Sequence, residues 1–210
     1  MNAKMKMTLA NKITLARAGL AIIMFLLMIS ANGFALIVSS LLFAVAAITD
    51  WVDGHIARST NTYTPFGAIV DPFVDKILVG AAFFAFTGIT DLNVPVWAVF
   101  FVIMRELAVS TLRILAALNN HVLAAERWGK FKTTVQLSAI GVIFFIIDVQ
   151  VLIPFTKGVL RKILVFLNIT LCTLPYPITI IVAAITVFSA ISYFKNNWAM
   201  LQKSWSLPVK

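Results

Sequence analysis

Long apolar stretches separated by short polar segments dominate the chain. Six of them have about 18 to 25 residues, and about 20 helical residues are needed to cross a 30 Å hydrocarbon core. They run approximately over 13–31, 34–57, 66–89, 95–118, 133–153 and 177–195. The pattern predicts an all-α integral membrane protein with six transmembrane helices.

A seventh apolar run, Ile163 to Leu174, is too short to cross a bilayer. It follows three basic residues, Lys157, Arg161 and Lys162, and it ends before a proline. A short apolar helix next to cations is typical of a segment that lies on the membrane surface. We therefore expect an extra interfacial amphipathic helix within a single membrane domain over residues 1–210.

The composition favours a membrane protein and excludes several other classes. Of the 210 residues, 61% are hydrophobic and 12% are charged, whereas soluble domains average about 25% charged residues. The 17 basic and 8 acidic residues give a formal net charge of +9. In so apolar a chain, this excess suits lipid headgroups and anionic substrates rather than nucleic acid. With Cys172 as the single cysteine, an intrachain disulfide is excluded.

The basic residues also predict an orientation, because cytoplasmic loops carry an excess of lysine and arginine. Most of them fall on one side if both termini are cytoplasmic. These are Lys4, Lys6, Lys12, Arg58, Arg127, Lys130, Lys132, Lys195, Lys203 and Lys210. The three cations before the seventh apolar run fall on the other side and oppose this assignment. The larger group leads us to expect a multi-pass protein of the cell membrane with both termini inside.

Four of the eight acidic residues crowd into the 26 positions from 50 to 75, within or at the ends of apolar helices. They are Asp50, Asp53, Asp71 and Asp75. A charge at membrane depth costs at least about 2.5–3.5 kcal/mol, so these carboxylates must face a wet cavity and find partners.

Helical spacing, at about 100° per residue, places these carboxylates on two faces. One face of the second span holds two carboxylates, two residues with little or no side chain and, at its edge, an arginine: Asp50, Asp53, Gly54, Ala57 and Arg58. The next helix repeats the arrangement with Gly67, Asp71 and Asp75. Because a short polar loop joins the two helices, we expect antiparallel neighbours whose acidic faces point at one site near the cytoplasmic surface.

Four converging carboxylates repel one another unless cations are present, and two divalent ions would cancel their charge. All-oxygen ligands favour Mg²⁺ or Mn²⁺ over zinc. Neither His55, which faces away from Asp50, nor His121, which is in a loop, is assigned a role. Two such ions about 3.5–4 Å apart form a clamp for displacement at phosphorus, and the small residues would let a bulky ligand approach the backbone. Two other interpretations stay open here: an ion or proton pathway, and simple helix packing by small residues.

Written as a string, residues 50 to 75 are Asp-x2-Asp-Gly-x2-Ala-Arg-x8-Gly-x3-Asp-x3-Asp. This string resembles the signature of the CDP-alcohol phosphotransferase family, integral membrane enzymes with six spanning helices that make phospholipid headgroups. The resemblance implies that the four aspartates hold two Mg²⁺ or Mn²⁺ ions and that Asp75 is the general base. It also implies a set of residues that bind the CDP moiety: Asn11, Thr14, Asp53, Gly54, Ala57, Arg58 and Gly67. A homodimer is an expectation from the family alone.

Three blocks outside the motif resemble the branch of this family whose acceptor is glycerol 3-phosphate. They are Asn11 to Arg17, Met104 to Arg113 and Trp128 to Thr133. A phosphomonoester brings nearly two negative charges toward the aspartates, so it needs cations of its own. We predict that Arg105, Arg113 and Lys130 bind this phosphate. For Arg105 the alternative is an internal ion pair with Glu106. For Arg113, Arg127, Lys130 and Lys132 the alternative is a cytoplasmic cation that follows the positive-inside rule, which is the better explanation for Arg127.

The resemblance thus implies transfer of the phosphatidyl group of CDP-diacylglycerol to the sn-1 hydroxyl of glycerol 3-phosphate, with release of CMP. Two alternatives stay open. The first is a relative in the same family whose acceptor is phosphatidylglycerol, which would make cardiolipin. The second is a divalent-cation or proton transporter, which would show ion flux without any nucleotide.

Overall fold

A computed structural model of the chain describes residues 9–30, 32–60, 65–118 and 127–206. Within these ranges, it describes the side chains outside 9–11, 50–60, 65–69, 71, 72, 75, 117, 118, 127–130 and 203–206. The described residues form α-helices, short 3-10 turns and no strand, which confirms the all-α class.

The helices follow one another through short connections. They are α1 (Leu9–Ile29), α2 (Gly33–Thr60), α3 (Pro65–Thr87), α4 (Val96–Leu118), α5 (Arg127–Leu152), α6 (Gly158–Leu171), α7 (Pro175–Asn196) and α8 (Trp198–Ser206). Two 3-10 turns, Thr90–Leu92 and Ile153–Phe155, follow α3 and α5.

Three segments of the described chain are long and apolar enough to cross a membrane. They are Lys12–Ile29 in α1, Phe131–Phe155 in α5 with the turn after it, and Pro175–Asn196 in α7. Within the described side chains, α2 and α3 contribute the shorter apolar segments Gly33–Thr49 and Lys76–Thr87. These long apolar helices, together with the many large apolar side chains exposed on their surfaces, make the chain a membrane protein.

Several helix boundaries differ from those expected from the apolar stretches. The helix that replaces the predicted interfacial run 163–174 is α6, which begins five residues earlier and includes Arg161 and Lys162. It starts at Gly158, whose φ of 63° is a left-handed conformation that glycine adopts without strain. Likewise, Pro175 lies in the first turn of α7 rather than in a preceding turn, a position that tolerates the missing N–H of proline.

Polar residues extend other helices beyond their apolar parts. Helix α5 starts at Arg127 rather than near residue 133, and α2 continues through the polar end of its sequence to Thr60. At the opposite end of α2, the side chain of Asn32 accepts a hydrogen bond from the backbone N–H of Phe34 at 3.1 Å and so caps the helix. Helix α8 was not predicted, because it has only nine residues and a mixed composition.

The described chain divides into two compact units. Unit 1 is drawn from residues 1–92 and 140–172, and unit 2 from residues 93–139 and 173–210. In unit 1, α1 packs against both α2 and α3. One stripe of α1 is buried in this packing, at the helical spacing of three and four residues: Thr14, Arg17, Ala21, Met24 and Met28.

A group of aromatic side chains also packs in the unit 1 core. The ring of Phe144 on α5 lies 5.3 Å from that of Phe43 on α2 and 5.0 Å from that of Phe86 on α3, centroid to centroid. Next to them, the Ser40 hydroxyl lies 2.8 Å from Oδ2 of Asp148. Among the described residues, aromatic packing thus joins α2, α3 and α5, and the Ser40–Asp148 hydrogen bond adds a polar contact between α2 and α5.

Unit 2 buries several polar side chains within an otherwise apolar interior and exposes large apolar side chains at its surface. The buried residues include Arg105, Lys132 and Gln136, whereas Phe100 and Ile114 are more than half exposed. Buried polar groups combined with exposed apolar ones are typical of a helical bundle whose outer surface faces lipid. Helices α4 and α7 pack together and run in the same direction, since Arg105 contacts Ser189 and Arg113 contacts Tyr193.

Candidate active site

Both halves of the acidic motif lie on continuous α-helix. Asp50, Asp53, Gly54, Ala57 and Arg58 belong to the last three turns of α2, and Gly67, Asp71 and Asp75 belong to the first three turns of α3. Helical geometry therefore groups the residues on each helix as the spacing predicts. The side chains of all eight lie outside the described set, so their convergence on one site stays a prediction.

The connection between these helices limits how far apart the two halves can be. Only residues 61–64 separate Thr60 from Pro65. Five Cα-to-Cα steps at no more than about 3.6 Å each place the end of α2 within about 18 Å of the start of α3. The two acidic segments therefore begin from one end of unit 1.

The residues predicted to bind CDP from α1 lie at the start of that helix. Thr14 is 1% exposed and faces the buried stripe, and the side chain of Asn11 lies outside the described set. One turn after Thr14, Arg17 is 2% exposed. A guanidinium at that depth requires hydrogen-bonding and charged partners. Sequence analysis left Arg17 without a role, although a cation inside the first apolar stretch was a signal for one.

In unit 2, a cluster of polar side chains joins three helices. This Glu106 cluster consists of Arg105 and Glu106 on α4, Lys132 and Gln136 on α5, and Thr186 and Ser189 on α7. Oε1 of Glu106 accepts hydrogen bonds from Arg105 Nη1 at 3.3 Å, from Lys132 Nζ and from Gln136 Nε2 at 3.4 Å. The ion pair of Arg105 with Glu106, which was the alternative for Arg105, is therefore present.

Further hydrogen bonds tie the Glu106 cluster to α7. Arg105 Nη2 donates to the hydroxyl of Ser189 at 2.9 Å, and Gln136 Nε2 lies 3.4 Å from the hydroxyl of Thr186. Lys132 was counted as a cytoplasmic loop cation, but it is buried and paired with Glu106. The four-residue spacing of Lys132 and Gln136 puts both on one helix face, and this spacing was the available signal.

Arg113 is held differently from Arg105. It lies two turns further along α4, is exposed, and its Nε lies 3.4 Å from the hydroxyl of Tyr193. Its guanidinium carbon is 5.7 Å from the centroid of the same ring, within cation–π range. Among the described residues, its two terminal nitrogens make no hydrogen bond. These nitrogens are the donors that a phosphate would need.

The side chain of Lys130, the third predicted phosphate ligand, lies outside the described set.

The donor set of the acidic motif fits hard divalent cations. Four carboxylates and no thiolate or imidazole belong to the predicted ligand set, and oxygen donors suit Mg²⁺ and Mn²⁺. Among the side chains that the structure describes, no three His, Cys, Asp or Glu residues lie together at a metal-binding separation. Its oxygen donors make the motif on α2 and α3 the candidate for a metal centre.

Comparison with known proteins identifies the family. Residues 7–174 match the family model described as CDP-alcohol phosphatidyltransferase. This match covers most of the chain, including α1 to α6 and the whole acidic motif. The chain belongs to the CDP-alcohol phosphatidyltransferase family, as the motif predicted, and it is a transferase of that family.

Several bacterial relatives within this family share one name. The chain is 34% identical over 210 residues to the CDP-diacylglycerol–glycerol-3-phosphate 3-phosphatidyltransferase of Bacillus subtilis, with 93% of this chain and 98% of the relative covered. Proteins of the same name in Rickettsia typhi and Haemophilus influenzae are 36% and 37% identical over 135 and 125 residues. Those matches cover 64% and 57% of this chain, and 75% and 64% of the relatives.

Proposed function

We propose that this protein transfers the phosphatidyl group of CDP-diacylglycerol to glycerol 3-phosphate, giving phosphatidylglycerophosphate and CMP. The observation that carries the proposal is the similarity to the Bacillus subtilis phosphatidyltransferase over nearly the full length of both chains. The eight-residue acidic motif on α2 and α3 and the blocks around Arg105 and Lys130 agree with it.

The aspartates are the proposed metal ligands. Asp50, Asp53, Asp71 and Asp75 would hold two Mg²⁺ or Mn²⁺ ions, consistent with their oxygen donors. When bound, such ions neutralise negative charge on the phosphates and on the attacking and leaving oxygens. The rest of the CDP site would be formed by Asn11, Thr14, Gly54, Ala57, Arg58 and Gly67, with Asp53 taking part in both.

The reaction requires one proton transfer and one displacement at phosphorus. Asp75 accepts the proton of the sn-1 hydroxyl of glycerol 3-phosphate as that oxygen attacks the lipid-linked phosphorus. A phosphorus–oxygen bond forms to the acceptor, and the bond from the same phosphorus to CMP breaks. Arg105, Arg113 and Lys130 bind the phosphate of the acceptor and orient its hydroxyl.

The proposed topology has six spans, α1 to α5 and α7, with both termini and the site on the cytoplasmic side. Helices α2, α3 and α4 have 28, 23 and 23 residues, so each is long enough to cross the hydrocarbon core. In α4 three charged residues, Arg105, Glu106 and Arg113, interrupt the apolar sequence, and intramembrane charges of this kind face the interior of a bundle. In this arrangement α6, with 14 residues and none buried, lies on the opposite membrane surface.

An acceptor assay tests the proposal. Purified protein receives CDP-diacylglycerol with a labelled phosphatidyl group and one acceptor at a time: glycerol 3-phosphate, phosphatidylglycerol, free glycerol or none. We expect CMP release and labelled phosphatidylglycerophosphate with glycerol 3-phosphate only. Labelled cardiolipin from phosphatidylglycerol would instead assign the chain to the cardiolipin-forming alternative. Ion flux in liposomes without CMP release from any acceptor would support a transporter.

A further inference from the structure

The Glu106 cluster joins three helices of unit 2 through side chains that are almost completely removed from solvent. Arg105, Lys132 and Gln136 are 8%, 5% and 3% exposed, and the side chain of Glu106 is 14% exposed. Buried charges inside a membrane bundle are costly unless they are paired. The cluster either contributes to substrate binding or only stabilises the packing of the three helices. These two cases predict different kinetics.

Glu106 is the shared acceptor of the cluster. Its Oε1 atom receives one hydrogen bond from each of three side chains, Arg105, Lys132 and Gln136. Among the described residues, the cluster contains two cations and one carboxylate, so a neutral residue at position 106 would remove the carboxylate that both cations share. Glu106 thus fixes the side chain of Arg105 from one side, while Ser189 fixes it from the other.

Arg113 lies on nearly the same face of α4 as Glu106. Arg113 follows Glu106 by seven residues, which places it about 10 Å along α4 and within about 20° of the same face. The pair of Glu106 with Lys132 connects this face of α4 to α5. A rotation of α4 about its axis would break that pair and would move Arg113 relative to α5, the helix that also carries Lys130.

We propose that Glu106 is a positioning residue for acceptor binding and that Lys132 is its anchor on α5. Together they hold Arg105 and Arg113 in the orientation that the acceptor phosphate requires. Lys132 itself does not bind the phosphate in this account, because its ammonium group is engaged by Glu106. This inference rests on the proposed function, since it concerns how glycerol 3-phosphate is bound.

The test uses four variants of the full-length protein in the CMP-release assay. Glu106→Gln removes the shared anion. Glu106→Gln with Lys132→Met removes both members of the pair and avoids an unpaired lysine, so it serves if the single variant does not fold. Glu106→Lys with Lys132→Glu exchanges the charges. Lys195→Met, which removes an exposed cation of α7 in the same unit, is the matched control.

A positioning role predicts a selective effect on one substrate. We expect Glu106→Gln, alone or combined with Lys132→Met, to raise the KM for glycerol 3-phosphate by about tenfold or more. The KM for CDP-diacylglycerol should change by less than about twofold. The charge exchange should restore most of the lost affinity for glycerol 3-phosphate, and Lys195→Met should resemble wild type.

Three results would overturn the inference. If Glu106→Gln combined with Lys132→Met lowers only the melting temperature and leaves both KM values unchanged, the cluster serves helix packing alone. If both KM values rise equally, the effect is not on acceptor binding. If the charge exchange gives no recovery, Lys132 acts by its own charge rather than through Glu106. A wild-type protein that does not use glycerol 3-phosphate would contradict the proposed function instead, and that measurement comes first.

Discussion

Asp75 carries two proposed roles, as a metal ligand and as the general base, and it is the last residue of the acidic motif. Asp75→Asn keeps the size of the side chain and removes its basicity. Loss of a general base alone lowers turnover by about 100-fold to 10,000-fold. We expect CMP release to fall by at least this much while binding of CDP, measured by calorimetry, stays close to that of the wild type.

The matched control for this variant is Asp91→Asn. Asp91 is an exposed aspartate in the turn Thr90–Leu92, outside the motif. Its substitution should leave turnover unchanged. Turnover like that of the wild type in Asp75→Asn would remove Asp75 as the base.

Arg113 is the predicted phosphate ligand whose described geometry suits the role most clearly. Its ring contact with Tyr193 orients the guanidinium, and its terminal nitrogens make no hydrogen bond among the described residues. A hydrogen bond to a charged group contributes about 1.5–3 kcal/mol, or roughly ten-fold to more than a hundred-fold in affinity. Arg113→Ala should therefore raise the KM for glycerol 3-phosphate by at least about tenfold, measured by CMP release at saturating lipid.

Arg127→Ala provides the comparison, because Arg127 is a basic residue at the start of α5 that we assign to membrane orientation alone. It should leave the KM for glycerol 3-phosphate near the wild-type value. Equal increases in the KM for glycerol 3-phosphate and for CDP-diacylglycerol in Arg113→Ala would count against a role in acceptor binding.

Sequence alone predicted individual residues unevenly. The acidic motif was recognisable because its eight positions have fixed spacing along two helices, and helical periodicity relates such positions without any tertiary information. The pairing of Lys132 was not predicted because its sequence neighbours are basic, whereas its partner Glu106 is 26 residues away on another helix. Pairing across helices depends on packing, which a single sequence does not reveal.

Among the elements, α6 tests the membrane topology most sharply. Phe166 on α6 and Lys157 just before it are both exposed at the protein surface. In water both positions would react alike, but in an interfacial helix Phe166 faces the acyl chains and Lys157 faces the headgroups. After Cys172→Ser, Lys157→Cys should be labelled by a membrane-impermeant maleimide in sealed right-side-out vesicles. Phe166→Cys should be labelled at least about tenfold more slowly.

Two outcomes of the labelling would contradict this arrangement. Equal labelling of the two cysteines would place α6 in water rather than at the membrane. Labelling of Lys157→Cys only after the vesicles are opened would place α6 on the cytoplasmic side and would reverse the proposed orientation.

Helix existence was easier to predict than helix ends. The long apolar stretches predicted the helices α1 to α5 and α7, and three segments of the described residues are long and apolar enough to cross a membrane. The ends were missed where polar residues continue a helix, as at Arg127 and Thr60, or where proline occupies a first turn, as at Pro175. A hydropathy pattern identifies the apolar part of a helix, but it does not identify the residues at which the helical hydrogen bonds begin and end.

At the scale of the whole molecule, polar groups are concentrated in two places, and each has a distinct proposed partner. The acidic ends of α2 and α3 belong to unit 1 and are assigned to metal ions and CDP. The Glu106 cluster and Arg113 belong to unit 2 and are assigned to the acceptor phosphate.

The most direct measurement is the metal dependence of coupled product formation by the purified protein. CMP and phosphatidylglycerophosphate are quantified together from CDP-diacylglycerol and labelled glycerol 3-phosphate, first with Mg²⁺, then with excess chelator, then with Mg²⁺ or Mn²⁺ restored. Our account predicts equal amounts of the two products, no turnover with chelator and recovery with either ion. Turnover that is indifferent to the chelator, or CMP release without incorporation of glycerol 3-phosphate, would contradict it.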